Sequence, residues 1–414
     1  MYRFIAACVV AALGAVGVHA QEGAPAFTLS RALELAGAGS PLGQAGAAQV
    51  RAAEAARSVA GLRPNPSVTV QTENVAGSGA YRSFHSAETT AQITIPLEMG
   101  GKRSARIAVA DARHERALVE RSVIAADLTL SVTQAYVAAL AAERRAQITG
   151  RQVEIALAAH HASQVRVRAG RASPLEEQRG ALMLVNARSA AEQAGRLAQV
   201  ARENLARQIA APVDAPLDVD WLDRLAVAGP VDRPLIENLL AVRAVELDVA
   251  TADAQIRLAA TQRTPDLQIF VGPRRLEATR DTALTFGVTI PLQVFDRGSA
   301  ALAQARAERE KADAESRIAK IRISQAVASA DAEVANAETA ARITGGPALD
   351  AAMEAARIAR IGYREGKFGQ LDLLDAERGL AETRLAAINA QAAYHDATAR
   401  RDRLTASAPL PLEE

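Results

Sequence analysis

The sequence predicts a mixed α+β chain made of two copies of one unit, each a pair of strands leading into a very long helical hairpin. Three observations carry this reading. Arg63-Pro64-Asn65-Pro66 leads into the alternating Ser67-Val68-Thr69-Val70, and Arg263-Thr264-Pro265-Asp266 leads into Leu267-Gln268-Ile269-Phe270. A second alternating stretch follows each, with a shared ending: Ile93-Thr94-Ile95-Pro96-Leu97 and Val288-Thr289-Ile290-Pro291-Leu292. After each comes a Gly-containing turn and a long Ala-rich segment, so one structural unit is duplicated rather than a short period repeated.

The chain opens with a basic start, Met1-Tyr2-Arg3, an apolar run from Phe4 to Val16, and Val18-His19-Ala20 before Gln21. That pattern is a secretory signal peptide, residues 1–20, cut after Ala20. The single cysteine, Cys8, lies inside it, so the mature chain has no thiol for a disulfide, a thiolate metal site or an N-terminal lipid. Arg3 is the only charged residue removed, which turns 48 basic against 47 acidic residues into 47 against 47. A neutral balance gives no support for a nucleic-acid partner. No later stretch reads as a helical membrane span, which leaves export as a soluble chain or a membrane crossing by β-strands.

The first unit covers residues 21–211. Leu29, Ala32, Leu33 and Ala36 have helical spacing, with Thr28 or Ser30 as cap and a local interruption at Ser40-Pro41. Pro64 and Pro66 end that helix. Ser67 to Val75 and Glu88 to Leu97 alternate as strands around Gly77-Ser78-Gly79, about the length that a tilted membrane strand needs. From Lys102 to Arg168 there is no proline. Leu128, Val132, Ala135, Ala139, Ala142 and Ala146 step by four and three, a coiled-coil seam of small residues. Gly170 to Pro174 is the turn, and a second helix returns from Leu175 to Ile209.

Residues 212–234, rich in Pro and Asp and holding Trp221, form a linker. The second unit, 235–405, repeats the order: helix Leu235 to Gln262, strands Leu267 to Gly272 and Ala283 to Leu292, helix Ala300 to Arg364. Its seam is Ile323, Val327, Ala330, Val334, Ala337 and Ala341. Gly366 to Gln370 turns the chain into a last helix ending near Leu404, and 406–414 reads as a flexible tail. Four strands cannot close a barrel with a lipid-facing outside, because open edges in hydrocarbon leave backbone groups unsatisfied. Several chains must therefore combine into a tube that is part β-barrel and part α-helical barrel.

This arrangement, from Phe27-Thr28-Leu29-Ser30-Arg31-Ala32-Leu33 to the last helix, resembles the TolC-like outer membrane factors. Pro96-Leu97-Glu98-Met99-Gly100-Gly101-Lys102-Arg103 and Pro291-Leu292-Gln293-Val294-Phe295-Asp296-Arg297-Gly298 resemble the barrel-to-helix turns of the branch that serves heavy-metal cation efflux. The resemblance implies a homotrimer with a twelve-stranded barrel in the outer membrane lipid and a coiled-coil tunnel through the periplasm. It also implies a periplasmic adaptor, an inner-membrane RND-type pump, and an equatorial belt around Trp221. Organic drugs or secreted protein are the alternative cargo. A periplasmic coiled-coil adaptor is the alternative of another class, and it leaves the doubled strand pairs unexplained.

Asp372 and Asp375 are three apart and share a helix face. By the resemblance they line the periplasmic aperture, where three copies would supply six carboxylates that favour cations. The plain alternative is a first-turn placement that complements the helix dipole. The matching place in the first unit holds Arg168, then Glu176 and Glu177. Tyr363, Arg364 and Arg168 are the candidate ties that hold such an entrance shut, and Phe368 stands where better-known channels have an arginine. His160-His161 does not form a metal pair, since adjacent helical residues diverge and no further ligand completes a site. His85, His114 and His395 are isolated. No phosphate-cradling loop or nucleophile motif supports an enzyme, and no cofactor is implied.

Overall fold

The computed structural model describes residues 26–225 and 235–408. The expected signal peptide, linker residues 226–234 and residues 409–414 lie outside the described residues. Helix α1 (Leu29–Gly39) starts on Thr28, whose hydroxyl accepts from the Arg31 N–H at 3.3 Å. Ser40 ends it and caps α2 (Pro41–Ala60), whose first residue Pro41 has no N–H to satisfy. Strands β1 (Ser67–Glu73) and β2 (Glu88–Leu97) follow, then α3 (Lys102–Arg168) and α4 (Pro174–Ile209). The second unit has α5 (Leu240–Thr261), β3 (Leu267–Leu276), β4 (Thr282–Thr289), α6 (Ser299–Gly345), α7 (Pro347–Arg364) and α8 (Gln370–Leu404).

The four strands form one antiparallel sheet in the order β1-β2-β3-β4, so β2 against β3 joins the two units and β1 and β4 are free edges. One face carries Val68, Val70, Ile93, Ile95, Ile269, Val271, Phe286 and Val288, all exposed. The other carries Thr69, Gln71, Thr90, Gln92, Thr94, Arg274 and Thr285. Gly272 and Gly287 are required on this polar face. A Cβ at Gly272 would lie 1.9 Å from the Ala91 carbonyl oxygen, and one at Gly287 would lie 2.3 Å from the Phe270 ring.

Helix α3 spans 67 residues, about 100 Å at the usual rise. It packs along α4 and also receives α2, α5 and α8. Its middle builds the main core: Leu128, Val132, Tyr136, Ala139 and Leu140 meet Phe27, Leu205, Ile209, Leu217, Leu222 and Ile388. The linker is thus anchored by Leu217 and Leu222, and Phe27 pairs with Leu217 in a parallel bridge.

Several expectations are corrected. The long helix of the second unit is not continuous to Arg364 but breaks at Gly346, between α6 and α7. Pro347 offers no N–H and its ring would clash with a preceding helical turn, while Gly346 takes φ −110° and ψ −107°, which its lack of a Cβ permits. In α3 the same Ile-Thr-Gly, residues 148–150, runs on into Arg151 and the helix continues. Helix α5 begins at Leu240 rather than Leu235, and β3 continues past Gly272 to Leu276. Residues 406–408, expected in the tail, pair with 238–240: Leu240 N–H donates to Ala406 O at 2.9 Å and Ala408 N–H to Asn238 O at 2.8 Å. Helix α3 also contains an 18-residue stretch apolar enough to cross a membrane. The sequence did not single it out, and 39% of that stretch is buried inside the chain.

Candidate functional site

The two hairpin tips lie side by side. Helix α3 ends at Arg168, Gly170 turns the chain at φ +68°, and Ser173 caps α4 by accepting from the Leu175 N–H at 3.3 Å. Helix α7 ends at Arg364, Gly366 turns at φ +74°, and α8 starts at Gln370. The two starts are tied directly, for the Gln370 side-chain amide donates to the Glu176 carbonyl oxygen at 3.4 Å.

Asp372 and Asp375 are both exposed on the first turns of α8. The Asp372 carboxylate accepts from the Gly369 N–H at 2.9 Å and so stabilises the helix start. Asp375 makes no such bond among the described residues. Glu176 sits partly buried at the first turn of α4, with one carboxylate oxygen shielded and unpartnered among the described residues. Tyr363 is tied to α3 by Arg166, whose guanidinium lies 5.1 Å from the ring centroid, a cation–π contact. The Tyr363 hydroxyl is buried without a partner among the described residues. Arg168 and Arg364 are exposed and form no ion pair among the described residues.

Two further residues hold the second tip. Arg360 on α7 and Glu377 on α8 form a two-pronged ion pair, with Nη2 to Oε2 at 2.9 Å, and Glu377 is only 2% exposed. The Glu377 carboxylate holds the Arg360 guanidinium above its ordinary pKa. Phe368 folds back over Gly362, where a Cβ would lie 2.1 Å from the ring. Ile155, Ala158, Ala159 and Ala162 of α3 face Leu373 and Leu374 of α8 across an apolar groove of about 400 Å³ rimmed by Arg360, Tyr363 and Arg364. Sequence reasoning named Tyr363 but missed Arg166, Arg360 and Glu377. The available signal was that Glu377 falls on the stripe of Leu373, Leu380 and Ala387, at steps of four, three and seven residues, where those three positions are apolar.

His160 belongs to the α3–α4 packing. Its Nε2 lies 3.2 Å from the Gln164 amide nitrogen, and Gly180 approaches so closely that a Cβ there would be 3.1 Å from the His160 Cα. His161 is exposed. Among the described residues no three His, Cys, Asp or Glu are grouped to hold a metal ion.

Beyond the tips, three polar clusters stand out. On the polar sheet face, far from the helices, Arg274 donates to Thr90 Oγ1 at 2.9 Å and Glu88 Oε2 at 3.1 Å, with Glu73 Oε2 at 3.7 Å. Where sheet meets helix, Asp266 accepts from the Met99 N–H at 3.0 Å and pairs with the nearly buried Lys102 at 2.8 Å. Burial alone would raise the Asp266 pKa, but the bonds from Lys102 and Met99 outweigh it and hold the carboxylate below the usual range. At mid-length, Trp221 of the linker stacks on His395 with centroids 4.1 Å apart and meets Tyr136 edge-on at 5.6 Å. His395 Nε2 lies 3.0 Å from the Leu222 carbonyl oxygen, and burial pushes its pKa down. Tyr136, fully buried, donates to the Phe27 carbonyl at 2.9 Å, and desolvation pushes its pKa up to about 12.

A family model described as outer membrane efflux protein matches residues 32–211 and 234–407. The cobalt-zinc-cadmium resistance protein CzcC of Cupriavidus metallidurans is 29% identical over 397 residues, covering 94% of this chain and 92% of that protein. The nickel-cobalt-cadmium resistance protein NccC of Alcaligenes xylosoxydans xylosoxydans is 27% identical over 295 residues, covering 70% and 67%. Among solved structures, CusC superposes with a TM-score of 0.75 at 16% identity, covering 92% of each chain. A membrane protein from Pseudomonas aeruginosa gives 0.76 at 19% identity, covering 92% and 90%. At such identities the structural likeness shows the fold.

Proposed function

The chain belongs to the outer membrane efflux protein family, and from that premise we propose that it is the outer membrane channel of a tripartite efflux system exporting heavy-metal cations. The observation that carries the channel reading is the sheet. One face is apolar and exposed, the other is polar, and both edges are unpaired. Such a sheet is stable in lipid only when further copies close it into a barrel with the apolar face outward. Three copies, as the TolC-like resemblance implies, form a twelve-stranded barrel, and their helical hairpins continue it as a tunnel into the periplasm. The cargo reading rests on the relatives, named for resistance to cobalt, zinc, cadmium and nickel.

A passive tube has no energy source, so the work and the selectivity lie with an inner-membrane RND-type pump and a periplasmic adaptor. The chain contributes the path and a bias at its mouth. Asp372 and Asp375, exposed at the tip and repeated around the axis, set a negative field that concentrates cations at the periplasmic entrance. Tyr363, held by Arg166, and Glu176 beside Gln370 keep the two tips together in the closed arrangement. Deleting the gene should sensitise cells to one or more of cobalt, zinc, cadmium and nickel to the same degree as deleting the pump. Sensitivity to dyes and detergents with metal tolerance unchanged would refute the metal cargo, and a soluble monomer in the periplasm would refute the channel.

A further inference from the structure

The break between α6 and α7 borders a cleft where matching parts of the two units meet. Ile148-Thr149-Gly150 of α3 and Ile343-Thr344-Gly345 of α6 are the same three residues, but α3 runs on into Arg151 while α6 stops and α7 restarts at Pro347. Ile148 and Arg151 of α3, Arg384 and Gln391 of α8, and Gly345 and Leu349 beside the break surround about 350 Å³. Asp223 of the linker and Arg144 of α3 line the same space.

Cationic donors outnumber the acceptors there. Asp223 is the one carboxylate lining the cleft, and it is already engaged: its Oδ1 accepts from Arg144 Nη1 and from Gln391 Nε2, both at 3.0 Å, and its Oδ2 accepts from Arg144 Nη2 at 2.6 Å. Arg151 and Arg384 have no ion pair or side-chain hydrogen bond among the described residues. Two guanidiniums from different helices thus line one cleft without a counter-charge. Ile148, Leu349 and Ile388 supply apolar wall beside them, which weakens the screening of any charge held there.

We propose that this cleft binds a small oxyanion carrying at least two carboxylate or phosphate groups. A guanidinium meets either group with paired N–H donors, and two of them on separate helices call for two acceptor groups on one ligand. A volume of about 350 Å³ lies at the low end for small-molecule pockets, which fits a compact acid rather than a peptide segment. Bound there, the anion joins Arg151 of the first unit to Arg384 of the second. It braces the second hairpin against α3 at the level where α7 is no longer continuous with α6. This site is separate from the acidic tip and does not depend on the cargo.

Citrate is the probe, and acetate, with a single carboxylate, is the control. Titration calorimetry on the detergent-purified full chain, in metal-free buffer at constant ionic strength, should show saturable citrate binding at one site per chain. Acetate should bind weaker by about tenfold or more, and Arg151→Gln with Arg384→Gln should weaken citrate binding by a similar factor. Both arginines are at least partly exposed, so the double variant should melt like the unsubstituted chain when citrate is absent. Hydrogen exchange in the unsubstituted chain tests the location without any variant: citrate should slow it in peptides from residues 345–355 and leave the tip at 168–177 unchanged. Equal affinity for acetate, citrate binding that survives the double variant, or protection confined to the tip would overturn the assignment. Absence of citrate binding, the result expected if a neighbouring chain's carboxylate fills the cleft, would overturn it as well.

Discussion

The ion pair of Arg360 and Glu377 makes an asymmetric prediction. Arg360→Met removes the one ion-pair partner, among the described residues, of a carboxylate that is 2% exposed, whereas Glu377→Gln leaves a guanidinium whose side chain is 45% exposed and can turn to water. Stranding one member of a buried pair costs about 3–5 kcal/mol, and the lower end is appropriate here because the arginine half is already solvated. At about 1.4 kcal/mol per tenfold, Arg360→Met should raise amide exchange of α7 and the first half of α8 by roughly 100-fold. Glu377→Gln keeps a neutral acceptor at the same place and should raise it by only about tenfold. Hydrogen exchange read by mass spectrometry on the purified protein in detergent distinguishes the two, with peptides from the α3–α4 hairpin as the internal reference. Equal effects of the two variants, or an effect of Arg360→Met spread evenly over both hairpins, would refute the claim that this pair locks the second tip as a unit.

Further predictions follow from the other clusters. Asp372→Asn with Asp375→Asn should lower cation preference in planar bilayers, because the exposed carboxylates at the tip are neutralised, and unchanged selectivity would place them away from the constriction. Tyr136→Phe should cost about 1–2 kcal/mol, read as a lower unfolding temperature, since it deletes the bond to the Phe27 carbonyl in the main core. His395 has its pKa depressed by burial, so the unfolded chain takes up a proton more readily than the folded one. Its contribution is fully present above about pH 6.5 and is lost as the pH falls from there to the folded value. His395→Gln should flatten that part of the stability profile, measured by thermal melts between pH 7 and pH 5.

Much of this architecture was legible because its signals are long and doubled. The bounds of β2 and α3 were read directly, since alternation and a proline-free seam persist over many residues. The break at Gly346 was not, because the Ala-rich pattern continues on both sides and only Gly345-Gly346-Pro347 interrupts it. Spacing also cannot say which of two neighbouring arginines reaches a ring. Arg168 was among the candidate ties, and the ring contact at Tyr363 is made by Arg166, two residues earlier and so on a different side of the last turn. His395 read as isolated since its partner Trp221 arrives from the linker, more than a hundred residues earlier in the chain.

The two free edges of the sheet bear on how such a chain survives before it is assembled. A strand edge with an exposed apolar face, here Val68 and Val70 on β1 and Leu284, Phe286 and Val288 on β4, pairs with whatever extended backbone it meets. In the proposed closed state each edge is consumed by another copy, so completion depends on the third power of subunit concentration, while off-pathway pairing of two chains depends only on the second. Scarcity therefore penalises the correct product more steeply than the wrong one. The apparent melting temperature should rise with protein concentration. Slow, dilute synthesis should leave unfinished sheets exposed in the periplasm, where holding factors that mask edges become part of the yield.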